Sequence, residues 1–154
     1  SGREPCWQDE YFWSGTRDPA GFLAIPEAIR VLEQHGLEDF RRSTHAMVRD
    51  AAERIVAITN LPPLLSLEGD RYGSMITLPI PGAASDGVQH GRRDPLQTAL
   101  WRDHGIELPV FTWKRQRYLR VSCHLYNTPQ DIDHLIEALT RLIPRLAELD
   151  RENN

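Results

Sequence analysis

Residues 117–131 read Arg-Tyr-Leu-Arg-Val-Ser-Cys-His-Leu-Tyr-Asn-Thr-Pro-Gln-Asp, and this stretch decides the fold. Residues 117–123 predict a strand, because aromatic and branched apolar side chains dominate them. Thr128 and Pro129 predict the start of a helix, since a hydroxyl cap followed by proline suits a first turn. The apolar stripe that follows has helical spacing and comprises Ile132, Leu135, Ile136, Leu139, Ile143 and Leu146. A strand that passes into an amphipathic helix is therefore expected at the end of the chain.

The segments before this stretch alternate between helical and extended patterns. Helices are predicted over residues 38–59 and 94–105, strands over 64–67, 74–80 and 106–112, and a loop over 81–93. From residue 38 onward we therefore expect an α+β domain, with a small, mostly antiparallel sheet and helices on one face.

The N-terminal part of the chain does not fit that domain. Residues 1–17 hold several aromatic side chains, and Asp18 with Pro19 predicts a helix that reaches Gly36. Pro26 either kinks this helix or starts a second one. We expect residues 1–37 to be a tail and a helix from the end of a neighbouring domain. Residues 38–154 would then form the second domain.

The composition excludes several classes of protein. The 154 residues carry a net charge of -4, with 40% hydrophobic and 26% charged residues, which disfavours disordered and fibrous chains. The acidic balance argues against a nucleic-acid binder with a broad basic surface. No apolar run reaches the roughly 18 residues of a membrane span. We expect no signal peptide and, with only Cys6 and Cys123, no disulfide framework, which predicts a cytoplasmic location.

The sequence lacks the common short motifs of metal and nucleotide chemistry. Its six histidines include no closely spaced ligand pair, so we expect no metal site. It has neither a phosphate-binding glycine loop nor a nucleophile elbow. Lys114 is the only lysine, so any covalent imine chemistry would require Lys114 or a lysine outside this chain.

Two stretches remain as candidate binding sites. Residues 13–19, Trp-Ser-Gly-Thr-Arg-Asp-Pro, lead into a helix N-terminus, where Thr16 and Arg17 either suit a phosphate or form a plain cap beside a surface arginine. Arg120 interrupts an apolar strand, where its guanidinium either binds a carboxylate or points to water. The residues alone leave both pairs of alternatives open.

Both stretches occur together in one enzyme family. The chain resembles the C-terminal part of class V aminotransferase-like, pyridoxal-phosphate enzymes, above all isopenicillin N epimerase-like members, with cysteine desulfurases as more distant relatives. The resemblance runs from about residue 12 to about residue 146 and rests on residues 13–19, 105–110 and 119–129. It implies the C-terminal small domain of a fold-type-I enzyme, preceded by the end of the large domain over residues 1–37.

The resemblance also implies roles for individual residues. The arginine at the position of Arg120 binds the α-carboxylate of an amino-acid substrate. Gly15 and Thr16, assisted by Arg17, contact the cofactor phosphate of the other subunit in a homodimer. The Schiff-base lysine lies upstream on the large domain, and Lys114 does not match its position. We therefore expect an inactive fragment without catalytic residues, from an enzyme that acts at the Cα of an amino acid as an epimerase or aminotransferase.

Two other functions compete with this interpretation. A cysteine desulfurase would carry a nucleophilic cysteine in the loop before the Arg120 strand, but residues 81–112 contain no cysteine. The second alternative is a free-standing α+β module that binds a small ligand or a partner without catalysis. Such a module would fold its aromatic N-terminal stretch onto its own core.

Overall fold

The computed structural model describes residues 18–69, 71–82 and 93–152. The chain divides into two compact units, Ser1–Leu37 and Glu38–Asn154. The assignment of the first unit to the end of a large domain stays a prediction.

Two short helices form the described part of the first unit. Helix α1 spans Ala20–Leu23 and helix α2 spans Ile25–His35. Pro26 lies in the first turn of α2, where a missing N–H costs no hydrogen bond, so of the two alternatives it starts a second helix. Gly36 ends the helix with a φ of 82°. The apolar side chains of these helices remain largely exposed, including Phe22, Leu23, Ile25 and Ile29.

The second unit begins with a long helix, α3, that spans Leu37–Thr59 and agrees with the prediction for residues 38–59. One face of α3 enters the core, and its buried members are Thr44, Val48, Ala51, Ala52 and Ile55. The opposite face carries charged residues in pairs three or four positions apart, such as Arg49 with Glu53. The helix is thus amphipathic, and burial of its apolar face fixes it against the rest of the unit.

Three antiparallel strands form the sheet of the second unit. They are β1 (Met75–Ile80), β2 (Val110–Trp113) and β3 (Gln116–Ser122), in the spatial order β1-β3-β2. The central strand β3 pairs Leu119 with Leu78 on one side and with Val110 on the other. The buried side chains of one sheet face join the helices in a single core, which includes Ile76, Leu78, Leu119, Val121, Val48, Ile55, Leu100 and Leu139. The α+β fold with helices on one sheet face is confirmed.

One of the predicted strand segments is wrong and another is wrong in its first part. Residues 64–67 form no strand: they follow Pro62 and Pro63, which have no N–H to donate to a ladder, and Leu64 and Leu65 are exposed. Residues 106–109 also stay outside the sheet, because the Ile106 N–H donates to the Leu100 carbonyl and so completes the end of the preceding helix. Strand β2 therefore starts at residue 110.

Three further helices complete the unit. Helix α4 spans Pro95–His104, α5 spans Pro129–Leu142 and α6 spans Leu146–Glu152, with a 3₁₀ turn at Ile143–Arg145 between the last two. The predicted final helix is thus divided at Pro144, because proline removes a helical donor. Most of the predicted loop, residues 83–92, lies outside the described residues. In the part of the chain that is described, no helix is long and apolar enough to cross a membrane.

Candidate functional site

Arg120 lies on the central strand and faces away from the helices. Its neighbours Leu119 and Val121 are buried in the core, whereas Arg120 is exposed, as strand alternation requires. Across the ladder it pairs with Thr77 of β1, and its own N–H donates to the Pro109 carbonyl at 3.1 Å. Among the described residues its guanidinium has no hydrogen-bond or ion-pair partner. The strand that carries Arg120 is thus hydrogen-bonded to a neighbouring strand on each side, while the guanidinium itself is exposed to solvent.

The sheet face around Arg120 combines apolar and aromatic side chains. Met75, Phe111 and Trp113 are 49%, 39% and 54% exposed, respectively. The ring of Tyr118 stacks on Phe111, with centroids 5.9 Å apart, and contacts Trp113 at 6.3 Å. We call this surface the open face of the sheet. The exposed guanidinium of Arg120 beside apolar and aromatic side chains suits a ligand that carries a carboxylate next to apolar groups.

The only lysine lies in the turn between β2 and β3, as predicted. Lys114 and Arg115 both adopt positive φ, 48° and 63°, which gives the two-residue turn the twist of its strands. The Lys114 ammonium lies 4.7 Å from the centroid of the Trp113 ring, a cation–π contact. The amine is therefore placed at an exposed hairpin turn.

Sequence reasoning missed a second arginine on β3. Arg117 is only 1% exposed, and its Nε donates to Asp94 at 2.7 Å while its Nη1 donates to Asp150 at 3.1 Å. Its Nη2 also donates to Asp94, so that pair is bidentate. Gly82 leaves room for the guanidinium, because a Cβ there would come within 2.8 Å of Arg117 Nη1. A charged arginine is rarely buried unless acidic side chains, here Asp94 and Asp150, pair with it.

A signal for Arg117 was present in the sequence. Arg117 and Arg120 are three residues apart on one strand and must therefore face opposite sides of the sheet, so one of them faces the core. Asp94 was predicted to open a helix, and its carboxylate does accept the Leu96 N–H at 2.8 Å. The same carboxylate thus caps α4 and binds Arg117, a double role that no local pattern in the sequence reveals.

The segment between β3 and α5 is held by short-range hydrogen bonds. The His124 N–H donates to Asn127 Oδ1 at 2.8 Å, and the Asn127 N–H donates to the His124 carbonyl at 3.0 Å. The Thr128 N–H donates to the Asp131 carboxylate at 2.8 Å, a bond that holds the Asp131 pKa below its ordinary value of 3.8. The start of α5 is thereby fixed relative to the end of β3.

Cys123 is the first residue after β3. It is 4% exposed, and burial raises the pKa of its thiol above the ordinary value. A thiol with a raised pKa is a poor nucleophile, because the thiolate is the reactive form. Cys123 is therefore a packed core residue.

The remaining predicted site residues cannot be placed. Gly15, Thr16 and Arg17 lie outside the described residues, so their contact with a cofactor phosphate stays a prediction. In the described ranges, no group of three or more histidine, cysteine, aspartate or glutamate residues could hold a metal ion.

Comparisons with known proteins identify relatives across most of the chain. The family model described as aminotransferase class-V matches residues 6–135. Isopenicillin N epimerase from Amycolatopsis lactamdurans is 31% identical over 129 residues, which cover 83% of this chain and 30% of that protein. A putative L-cysteine desulfhydrase from Oryza sativa subsp. japonica is 25% identical over 153 residues, which cover 85% of this chain and 30% of that protein.

A third relative broadens the range of named activities. A probable cysteine desulfurase from Staphylococcus aureus strain Mu50 is 28% identical over 139 residues, which cover 88% of this chain and 33% of that protein. The chain thus spans about a third of the length of these relatives. Because the family match covers most of the chain and includes the strand that carries Arg120, this chain belongs to the class-V aminotransferase family.

Proposed function

We propose that this chain is the C-terminal part of a pyridoxal-phosphate enzyme that acts at the Cα of an amino acid, as an epimerase or aminotransferase. In this proposal Arg120 binds the α-carboxylate of the substrate. The observation that carries the proposal is the exposed guanidinium of Arg120, which has no partner among the described residues and lies at the position that the family resemblance assigns to carboxylate binding. One relative, the putative L-cysteine desulfhydrase, is also named for a reaction of an amino acid.

Arg120 is built to orient its ligand as well as to attract it. A guanidinium presents two parallel N–H donors that match the two oxygens of a carboxylate. β3 is the central strand, so hydrogen bonds on both sides fix the backbone from which Arg120 extends. A carboxylate fixed in this way limits the rotation of the substrate and so keeps its Cα–H bond aligned for cleavage. This alignment lowers the entropic cost of breaking that bond.

Pyridoxal phosphate would supply the electron sink for this chemistry. The described residues do not form a site for it, because the only lysine lies in a hairpin turn against Trp113. We propose that the cofactor lysine belongs to a large domain upstream, that residues 1–37 are the end of that domain, and that the chain alone is inactive. Gly15, Thr16 and Arg17 would contact the cofactor phosphate of the other subunit in a cytoplasmic homodimer.

Sulfur chemistry is less well supported than epimerisation or transamination. Two of the relatives are named for reactions of cysteine. In this chain, however, residues 81–112 contain no cysteine, and Cys123 is buried with a raised thiol pKa. A desulfurase would have to release sulfide without a nucleophilic thiol from this region.

A non-catalytic binding module remains the second candidate. It is favoured by one observation, which is that Glu38–Asn154 forms a compact unit with its own core. The two candidates differ in what the full-length gene product does to an amino acid. An enzyme exchanges the α-hydrogen with deuterated water, a step shared by epimerisation and transamination, whereas a binding module does not.

The test is a substitution of Arg120 in the full-length protein supplied with pyridoxal phosphate. Arg120→Lys replaces a two-pronged donor by a point charge, so we expect kcat/KM for α-hydrogen exchange to fall roughly 10- to 100-fold, mainly through KM. Arg141→Lys is the matched control, because Arg141 is an exposed arginine that pairs with Glu137 on α5. An unchanged kcat/KM in Arg120→Lys would remove Arg120 from the site.

A further inference from the structure

Phe111 lies on the open face, one diagonal step from Arg120. It pairs with Tyr118, while the Arg120 N–H donates to the Pro109 carbonyl at 3.1 Å, so Phe111 is two residues along β2 from the position opposite Arg120. Paired residues share a face of the sheet, and so do residues two apart on one strand. Diagonal positions are about 7–8 Å apart, a distance that an aromatic ring and an arginine side chain can span.

The ring of Phe111 is held in place and is still accessible. It stacks on the ring of Tyr118, with centroids 5.9 Å apart and planes inclined by 28°. Tyr118 is itself 5% exposed and pairs with Pro79 on its other side, whereas Phe111 is 39% exposed. A ring that is already fixed loses little conformational entropy when a ligand packs on it. Phe111 therefore offers an apolar surface that is formed before binding.

Within the three described strands, the side chains next to Arg120 on this face carry no second charge. They are Thr77 across the β1 ladder, Tyr118 and Ser122 along β3, and Met75, Pro79 and Phe111 on the diagonals. Lys114 and Arg115 lie in the turn before Gln116, and Gln116 is four residues, or about 13 Å, from Arg120. A second charged group on a ligand held at Arg120 would lose water here without gaining a partner ion.

We propose that Phe111 contacts the side chain of the substrate and selects amino acids whose side chain is apolar. This inference rests on the proposed function, since Arg120 would hold the α-carboxylate of the same molecule. A substrate bound in this way brings its side chain to the ring at the neighbouring diagonal position. Methylene groups gain free energy when they leave water for such a surface, whereas a second carboxylate loses its hydration there.

The first experiment varies the substrate and leaves the protein unchanged. In the full-length protein with pyridoxal phosphate, α-hydrogen exchange is measured for L-alanine, L-norvaline, L-norleucine and L-glutamate. We expect kcat/KM to rise about twofold per methylene, because one ring covers only one side of the chain, so L-norleucine should exceed L-alanine roughly eightfold. L-glutamate should fall below L-norvaline, which has a side chain of similar length. Equal values for all four amino acids, or a preference for L-glutamate, would refute the inference.

The second experiment assigns the preference to Phe111. Phe111→Ala should lower kcat/KM for L-norleucine about fivefold and for L-alanine less than about twofold, because the short side chain of L-alanine makes little contact with the ring. Trp101→Ala is the matched control, since Trp101 is a 52% exposed aromatic residue on α4. Met75 occupies a diagonal position on the β1 side of Arg120. A preference that Met75→Ala removes and Phe111→Ala leaves intact would contradict the assignment.

A binding measurement separates the inference from the proposed function. Calorimetry on the full-length protein compares hexanoate with propionate, which match L-norleucine and L-alanine without the amino group. Tighter binding of hexanoate, reduced by Phe111→Ala but not by Trp101→Ala, supports the inference without any catalytic step. Equal affinities, with α-hydrogen exchange intact, would refute the inference and leave the proposed function standing. An absence of exchange with every amino acid would refute the proposed function, and the inference with it.

Discussion

At the scale of single residues, β3 uses two arginines for opposite purposes. Arg117 faces the core and is neutralised by Asp94 and Asp150, whereas Arg120 faces outward with no described partner. A buried guanidinium without acids would be very costly, so the two carboxylates are what permits Arg117. The outward arginine needs no such compensation, because water solvates it.

Removal of the buried cation should therefore destabilise the unit strongly. Arg117→Met keeps much of the side-chain volume but leaves the Asp94 and Asp150 carboxylates close together without their cation, and we expect it to cost about 3 kcal/mol of unfolding free energy. Urea unfolding of the 154-residue chain, followed by circular dichroism, measures this. Arg141→Met removes an exposed pair and should cost about 0.5 kcal/mol. Equal losses in the two variants would contradict a structural role for the buried cluster.

At the scale of helices and strands, the elements with a regular apolar pattern were predicted, whereas two short segments were predicted wrongly as strand. Helices α3 and α5 follow their apolar stripes closely, and β1 and β3 alternate as expected. Residues 64–67 and 106–109 were predicted as strands from their apolar content. Proline and a helix-ending hydrogen bond keep them out of the sheet.

The candidate site was predictable to a similar, limited extent. Strand alternation placed Arg120 opposite Leu119 and Val121, and the structure agrees. The Arg117 cluster was not predicted, because it depends on residues brought together by tertiary packing. Asp94 and Arg117, for example, are 23 positions apart in the sequence. Contacts between residues so far apart in the sequence produce no periodic pattern from which they could be predicted.

The start of α5 provides a prediction about pH. The Asp131 pKa is lowered in the folded chain, mainly by the hydrogen bond from the Thr128 N–H, so its ionised form stabilises the fold. That contribution is fully present above the ordinary pKa of 3.8 and is lost as the pH falls through the lower folded pKa. Asp131→Asn should therefore be less stable than the unsubstituted chain near neutral pH, and the difference should shrink below about pH 4.

Urea unfolding of both proteins over a series of pH values tests this prediction. Asp133→Asn is the comparison, because Asp133 lies on the same helix but pairs with Arg54 of α3. A stability difference for Asp131→Asn that stays constant from neutral to acidic pH would show that its carboxylate is not responsible.

At the scale of the whole molecule, the proposed carboxylate-binding surface and the only lysine of the chain lie in different surroundings. The open face offers Arg120 and apolar rings, and the only lysine of the chain is in a hairpin turn. The relatives are about three times as long as the matched region. Catalysis by this chain alone would require Lys114 to hold the cofactor, and its ammonium is instead placed against Trp113, exposed to solvent.

We therefore expect the 154-residue chain to bind pyridoxal phosphate only weakly and without saturation. The chain is incubated with increasing concentrations of the cofactor and treated with borohydride to reduce any imine. The mass of the intact protein is then measured by mass spectrometry, with Lys114→Arg as the control. A surface amine should give a substoichiometric adduct that rises in proportion to cofactor concentration, because Lys114 lies at an exposed hairpin turn. A saturable adduct of one cofactor per chain, absent from Lys114→Arg, would mean that the chain builds its own cofactor site and that no upstream lysine is needed.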